Sequence, residues 1–172
     1  IEGIWEVKNT GDKEMHFQIG AHPAFYWPDF DASTQERGFF GFDKKEDVKY
    51  ILISEKGCAD PSAEYSLELA DGLLPLDIHT FDKDAFILEN EQVHKVTLYT
   101  KEKKACLSLH FHTPVVGLWS PPAKNAPFVC IEPWYGRCDR AHYTGEYKDK
   151  DWMQHLHPDK TFKGGYTIEI EE

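Results

Sequence analysis

The stretch that decides the fold reads VHKVTLY from Val93 to Tyr99 and, after the charged turn KEKK, ACLSLHF from Ala105 to Phe111. In both segments apolar and polar residues alternate with a period of two, which is typical of half-buried β-strands. Similar segments recur along the chain and are separated by turns rich in Gly, Asn, Asp and Lys. Regularly spaced strands joined by short turns predict an all-β fold, an antiparallel β-sandwich.

The same alternation predicts the positions of further strands and leaves little room for helix. The further predicted strands are Trp5–Lys8, Val48–Ile53, Tyr65–Leu69 and Tyr166–Ile170. Residues 147–156 carry the one pattern compatible with a helical turn or two. At 172 residues, the chain suits a single domain, 1–172, with a sizeable core.

The sequence opens inside a strand-like pattern, with Ile1 in place of a methionine. We therefore interpret the chain as the C-terminal portion of a larger sandwich that is incomplete on its N-terminal side. Sheets that lack some of their strands would expose unpaired edges, which proteins normally cover or charge. We expect those edges to pair with the missing N-terminal portion or with another copy of the chain.

Composition excludes several classes of function. The net charge of −11 argues against nucleic-acid binding, which needs a basic footprint. No apolar run approaches the ~20 residues that span a bilayer, and no signal peptide is visible, so we expect a cytoplasmic protein without a membrane partner. The four cysteines lack disulfide-framework or zinc-site spacing. Arginine is scarce, which disfavours a phosphate site and favours a neutral substrate.

A different pattern runs from Phe128 to Gly136, FVCIEPWYG. An apolar run typical of a buried strand reaches Glu132, and a proline, two aromatic residues and a glycine follow, which is loop chemistry. Because proline cannot donate to a β-ladder, we predict that the strand stops just beyond Glu132. Glutamate is rarely buried without a partner. Glu132 is therefore either a solvent-facing residue at a strand end or a functional one.

The segment from His16 to Pro28, HFQIGAHPAFYWP, has the same plan. A short alternating strand reaches His22, and proline and aromatic residues follow. Two such strand ends on one rim of a sheet would bring the His22 imidazole and the Glu132 carboxylate together. This pair suits general acid/base catalysis on a sugar. Taken alone, His22 is equally compatible with a capping or core histidine.

Three further residues are candidates for contact with a substrate. Asp84 directly precedes an apolar strand and is either a turn aspartate or a hydrogen-bond acceptor on the same rim. Trp119 and Trp134 are predicted in loops beside the strand ends, where aromatic faces stack on the C–H faces of sugar rings. Ordinary core packing is the alternative for both tryptophans.

Histidines elsewhere do not predict a metal site. His110 and His112 share one face of a strand, but no third ligand lies at a useful spacing, so we predict simple packing. His155 and His157 are predicted to lie in a solvated loop. We expect neither a metal ion nor an organic cofactor.

Four segments together resemble the aldose 1-epimerase (galactose mutarotase-like) superfamily, most closely its LacX-like branch. They are Val7–Asp12, Ile19–Phe25, Phe81–Ala85 and Phe128–Gly136. These segments span most of the chain and keep the family's order of His, Asp and Glu. The resemblance implies a large antiparallel β-sandwich with a sugar-binding cleft on one sheet.

The resemblance also implies roles for the candidate residues. It makes His22 the general acid, Glu132 the general base, and Asp84 a residue that binds sugar hydroxyls or orients the histidine. The implied reaction interconverts the α and β anomers of an aldose by opening and reclosing the ring. Proton transfers suffice for this reaction, so no cofactor is implied.

The sequence departs from the family's pattern at two points. The family's members are longer, and their N-terminal part supplies strands and often a sugar-binding arginine. Many epimerases also have Asp-His where this chain has Asp84-Ala85. Two alternatives stay open: an epimerase of hexose 6-phosphates, with phosphate bound by Arg137, Arg140 and Lys124, and a non-catalytic carbohydrate-binding sandwich.

Overall fold

The computed structural model describes residues 1–54 and 56–171 and consists almost entirely of β-strands. In chain order these are β1 (Glu2–Lys8), β2 (Met15–Phe17), β3 (Ile19–Gly20), β4 (Ala24–Tyr26), β5 (Glu36–Phe42), β6 (Lys49–Ile53), β7 (Ala59–Ser66), β8 (Leu73–Asp77), β9 (Phe86–Glu89), β10 (Lys95–Tyr99), β11 (Ala105–Phe111), β12 (Val115–Trp119), β13 (Phe128–Tyr135), β14 (Gln154–Leu156) and β15 (Thr161–Ile170). A single turn of 3-10 helix covers Tyr147–Asp149.

The strands form two large sheets and a small ribbon. One sheet has six strands in the order β1-β15-β11-β10-β5-β8. The other has seven strands: six follow the order β3-β13-β12-β9-β6-β7, and the seventh, β4, also pairs with β13. Strands β2 and β14 form the separate two-stranded ribbon. The named strands pair antiparallel, which confirms the predicted all-β antiparallel sandwich.

The main core lies between the two large sheets. Phe40, Leu98 and Leu109 contribute to it from the six-stranded sheet, and Leu118 and Ile131 contribute from the seven-stranded sheet. Because side chains alternate across a strand, the neighbours of these residues on β12 and β13 face the opposite way. A second, smaller apolar cluster, formed by Ile51, Ala59, Ile87 and Val115, covers part of that outer face.

Strand β13 continues past the point at which the sequence predicted its end. Glu132 and Pro133 both lie inside the strand, opposite Gly117 and Val116 of β12. The Pro133 carbonyl accepts a hydrogen bond from Ala21 N, so it faces the edge strand formed by β3 and β4. Because the N and C=O of one residue point to the same side of a strand, the proline nitrogen also faces this edge, at the gap between β3 and β4. No ladder bond to β12 is lost, and the strand tolerates the proline.

Other differences from the predicted elements are local. Predicted strand Tyr65–Leu69 lies mostly beyond β7, which ends at Ser66, and β5 has no counterpart among the predicted strands. The segment 147–156 holds one helical turn and then β14. Within the residues that the structure describes, no helix has the length and apolar character needed to cross a membrane.

Candidate active site

The outer face of the seven-stranded sheet carries a buried carboxylate. Its neighbour Ile131 points into the sandwich core, so Glu132 points away from that core. Glu132 is nevertheless only 3% exposed. Gly117 lies directly opposite on β12. The missing side chain of this glycine leaves a space on the same face that the ring of Trp134 occupies.

The backbone of the edge strand places His22 against this carboxylate. His22 lies in the gap between β3 and β4, which pair with the two ends of β13. The hydrogen bond from Ala21 N to Pro133 O and that from Ile131 N to Pro23 O hold the gap against the middle of β13. As a result, His22 Nε2 lies 3.4 Å from Glu132 Oε1. The pair thus forms in the middle of a strand instead of at two strand ends.

The two partners of this pair differ sharply in solvation. The side chain of His22 is 61% exposed, whereas that of Glu132 is 4% exposed. Burial is the main cause that raises the pKa of Glu132 from 4.5 to about 8, and the negative charge of Asp84 adds to it. A carboxyl group with this pKa can both take up and release a proton near neutral pH, as a general acid/base group must.

The raised pKa of Glu132 predicts that stability falls as pH rises. Between its ordinary value of 4.5 and about 8, the folded protein keeps a proton that the unfolded chain has lost. The free energy of unfolding then decreases with pH, by about 1.4 kcal/mol per pH unit from this group, and levels off outside that window. Urea unfolding of the parent and of Glu132→Gln across the window measures the difference. A difference that does not change with pH would contradict the raised pKa.

Asp84 lies at the same end of the sheet as the pair. It is half-buried, two residues before β9 begins at Phe86, in a left-handed conformation with φ of 74°. Its Oδ1 accepts a hydrogen bond from Ala85 N at 2.8 Å. Phe86 begins β9 opposite Leu118, so Asp84 lies near the level of Trp119. Asp84 is therefore a turn aspartate, and its negative charge also acts on Glu132 of the acid/base pair.

Both predicted tryptophans lie beside the pair, but in strands and not in loops. Trp119, the last residue of β12, is half-buried and meets the His22 ring edge-on, with ring centroids 5.7 Å apart. Trp134, in β13, donates its indole N–H to Ala21 O at 3.2 Å. Each indole is partly exposed, so neither is a simple core residue.

Two glycines make room for Trp134. A Cβ at Gly117 would lie 2.6 Å from Trp134 Cη2, and one at Gly20 would lie 2.6 Å from Trp134 Cδ1. The indole therefore lies flat against the backbone of both flanking strands. An isolated glycine in an apolar strand signals such a close approach, and this signal was present at Gly117.

Replacing Gly117 with alanine is expected to displace the Trp134 ring. The added methyl group overlaps the ring, and overpacking of this kind costs about 1–3 kcal/mol. Urea unfolding and tryptophan fluorescence measure the loss and the movement. In a Trp134→Leu background the same alanine should cost less, because the overlapping ring is absent. Equal costs in both backgrounds would contradict the assigned contact.

A cleft opens next to His22. Its volume is about 470 Å³, and residues 18–22 line one side while Trp134 and residues 136–138 line the other. This volume falls within the ~300–1,000 Å³ that is usual for small-molecule sites. Glu132, Trp119 and Asp84 do not line this cleft; Glu132 contacts His22, which does, and its side chain is 4% exposed.

A buried ion network borders the same cleft. Arg137, whose side chain is 2% exposed, donates from Nε to Glu89 Oε1 and from Nη2 to Asp151 Oδ2, each at 2.6 Å. Its Nη1 donates to Cys138 O at 3.0 Å. Trp152 Nε1 donates to the same Glu89 oxygen at 2.6 Å. Each of the three guanidinium nitrogens thus donates a hydrogen bond to a protein partner.

Cys130 lies beside the candidate pair, although the sequence did not single it out as a site residue. It lies two residues before Glu132 on the same face of β13 and is fully buried. Donor atoms of His22, Cys130 and Glu132 lie within 4.8 Å of one another. Burial, with the charge of Glu132, raises the pKa of the thiol to about 12. The thiol is therefore protonated and is a neutral neighbour of the carboxylate.

Known proteins share this fold along nearly the whole chain. A galactose mutarotase related enzyme from Lactobacillus acidophilus is 30% identical, with a TM-score of 0.87 over 99% of this chain and 57% of its own. A galactose mutarotase-like protein from Lactobacillus casei, 23% identical, has a TM-score of 0.86 over 99% of this chain and 58% of its own, and supports the fold alone. No protein-family model matches the chain.

The fold and these relatives support one class of protein: the chain is similar in sequence and structure to the galactose mutarotase-like, or aldose 1-epimerase, superfamily. The plasmid-encoded protein LacX of Lactococcus lactis is 29% identical over 161 residues, which cover 92% of this chain and 54% of LacX. This similarity is to the LacX-like branch of the superfamily, and the chain spans about half the length of the curated relatives that it matches.

Proposed function

We propose that the protein is an aldose 1-epimerase that interconverts the α and β anomers of a free hexose by acid/base ring opening. The observation that carries this proposal is the His22–Glu132 pair, 3.4 Å apart, with the imidazole exposed and the carboxylate buried. Two adjacent groups that can each carry a proton suit a reaction that must run in both directions. Such general acid/base groups contribute about 10²–10⁴-fold in rate.

In the proposed reaction Glu132 takes the proton from the C1 hydroxyl while His22 protonates the ring oxygen. The C1–O5 bond breaks, C1 becomes an aldehyde, and rotation about the C1–C2 bond presents its other face. Ring closure then reverses the two roles. Because Glu132 is nearly covered, the reaction requires His22 to shift as the sugar enters, and distances in a sugar-free site commonly change in this way.

The surrounding residues supply orientation in this proposal. The half-buried faces of Trp119 and Trp134 offer surfaces on which a pyranose ring stacks. Asp84 accepts hydrogen bonds from sugar hydroxyls, and its charge keeps the proton affinity of Glu132 high. No organic cofactor is needed, because both proton transfers are made by the protein's own side chains.

The 6-phosphate alternative is less well supported. Arg137 is engaged by Glu89 and Asp151, and Arg140 also pairs with Asp151. A phosphate group would have to replace these carboxylates. Lys124 is exposed in the loop before β13, and a single exposed ammonium group makes a weak phosphate site.

The proposal is tested by polarimetry on freshly dissolved α-galactose, α-glucose and α-glucose 6-phosphate. We expect the protein to accelerate mutarotation of a free hexose well above the spontaneous rate. Acceleration with the phosphorylated sugar alone would overturn the substrate assignment in favour of the 6-phosphate alternative. Sugar binding without acceleration would overturn the enzyme assignment and leave a carbohydrate-binding sandwich.

A further inference from the structure

We propose that the β2–β14 ribbon carries a binding site for a divalent transition-metal ion, built from Glu14, His16, His155 and His157. These four residues, here called the ribbon quartet, lie outside the candidate active site. The sequence predicted a solvated loop for His155 and His157, but His155 lies within β14 and faces His16 directly across the ladder. The proposal is independent of the sugar chemistry.

Strand parity places the ribbon quartet on one face. Glu14 and His16 are two residues apart, and so are His155 and His157, so each pair points to one side of its strand. The register aligns His16 with His155 and Met15 with Leu156. One step further along, His157 comes opposite Glu14. Leu156 points to the other face and is buried, so the quartet faces outward.

The donor atoms are already close together. His16 Nδ1 lies 3.1 Å from His155 Nδ1, and two nitrogens bound to one tetrahedral zinc ion at ~2.0–2.1 Å lie about 3.3 Å apart. Glu14 Oε2 lies 3.8 Å from both His16 Nε2 and His155 Nδ1. His157 Nδ1 lies 3.3 Å from Glu14 Oε1. One ligand atom each of Glu14, His16 and His155 lies within 4.8 Å of the others, and His157, which contacts Glu14, would turn its ring to complete the set.

The backbone of the ribbon is fixed by a buried asparagine. Asn9, 3% exposed, donates from its side-chain amide to Lys13 O and to Leu156 O, each at 2.8 Å. Its backbone N–H also donates to Lys160 O. These bonds hold the segment before Glu14 against β14, so the backbone that carries the four residues is fixed before any ion arrives, which favours binding.

The chemistry of the donor set selects the class of ion. Three imidazoles and one carboxylate suit Zn²⁺ and its neighbours Ni²⁺ and Cu²⁺, and they are unsuited to Ca²⁺ or Mg²⁺, which prefer oxygen ligands. The ion would join two strands that are distant in sequence. Because β2 leads directly into β3 and His22, it would also fix the start of the edge strand that carries the proposed acid.

The experiment is a calorimetric titration of tag-free protein, first stripped of metal with a chelator, with Zn²⁺ alone. We expect one Zn²⁺ per chain, and His16→Gln and His155→Gln should each weaken the affinity at least about tenfold. Zn²⁺ should raise the midpoint of thermal unfolding of the parent protein and not that of the His16→Gln/His155→Gln double variant. His110→Gln is the matched control, because His110 is an exposed histidine 2.8 Å from a carboxylate, Glu169 Oε2, on β11.

Three outcomes would overturn the site. The first is no stoichiometric binding, in which case the 3.1 Å contact is a hydrogen bond between two imidazoles. The second is undiminished binding by the His16→Gln/His155→Gln double variant. The third is binding that Glu132→Gln abolishes, which would place the ion at the His22, Cys130 and Glu132 cluster. Unfolding midpoints of the metal-free variants, which we expect to match the parent, show that the ribbon is intact.

Discussion

Glu132→Gln is expected to lower the rate of anomer exchange by about 10²–10⁴-fold, the usual contribution of a general acid/base group. Glutamine keeps the size of the side chain and removes its ability to accept a proton. The side chain is 4% exposed and lies beside His22. Because glutamine has the same size as glutamate, the substitution leaves the packing around it unchanged. The loss should therefore appear in kcat, with a modest change in sugar affinity.

A second histidine–glutamate pair provides the control for this result. His110 and Glu169 lie 2.8 Å apart in the six-stranded sheet, and both side chains are exposed. Glu169→Gln makes the same chemical change without touching the cleft, so its rate should equal that of the parent. Because the two members of the candidate pair act as a unit, the Glu132→Gln/His22→Gln double variant should lose little more than either single variant. If the rate losses of the two single variants multiplied in the double variant, the paired mechanism would be contradicted.

Arg137→Met is expected to destabilise the protein by about 3–5 kcal/mol, the cost of removing one partner from a buried ion pair. The substitution leaves Glu89 and Asp151, which are 14% and 18% exposed, without the guanidinium that compensates their charges. Urea unfolding at constant m-value measures the loss.

Two further variants separate this explanation from simple loss of packing. Adding Glu89→Gln to Arg137→Met removes one uncompensated charge and should recover part of the stability. Lys163→Met breaks the pair between Lys163 and Glu6, whose side chains are 71% and 60% exposed, and should cost less than about 1 kcal/mol. If Arg137→Met costs no more than Lys163→Met, the network does not stabilise the outer face of the sheet.

The fold was predictable because alternation with a period of two reports burial directly. Val93–Tyr99 and Ala105–Phe111 became β10 and β11, paired antiparallel in the six-stranded sheet. Strand β5 was missed because its residues Glu36 to Phe42 are nearly all buried, so the apolar residues do not alternate with polar ones. A continuous apolar run cannot be assigned from periodicity alone.

The composition of the candidate site could be predicted, but its geometry could not. Sequence patterns singled out His22 and Glu132, and the structure places them 3.4 Å apart. The predicted rim of two strand ends was wrong, because Pro133 is tolerated where the edge strand is interrupted. The places of Cys130 and Gly117 depend on the register between β12 and β13, which the alternation of a single strand does not specify.

The ribbon quartet marks the same limit of sequence analysis. His16 and His155 are separated by 139 positions, and each lies in a strand of three residues. Strands this short carry too little alternation for a confident assignment. Their pairing follows from tertiary contacts such as those of Asn9, so the cluster becomes visible only in three dimensions.

The most direct test of the central claim is two-dimensional exchange NMR on galactose at anomeric equilibrium, with the parent protein and with His22→Gln. The parent should produce cross-peaks between the α and β H1 signals, since each turnover moves a proton from one signal to the other. His22→Gln should reduce the exchange rate by about 10²–10⁴-fold. Equal exchange rates for the two proteins would show that the His22–Glu132 pair does not catalyse the interconversion.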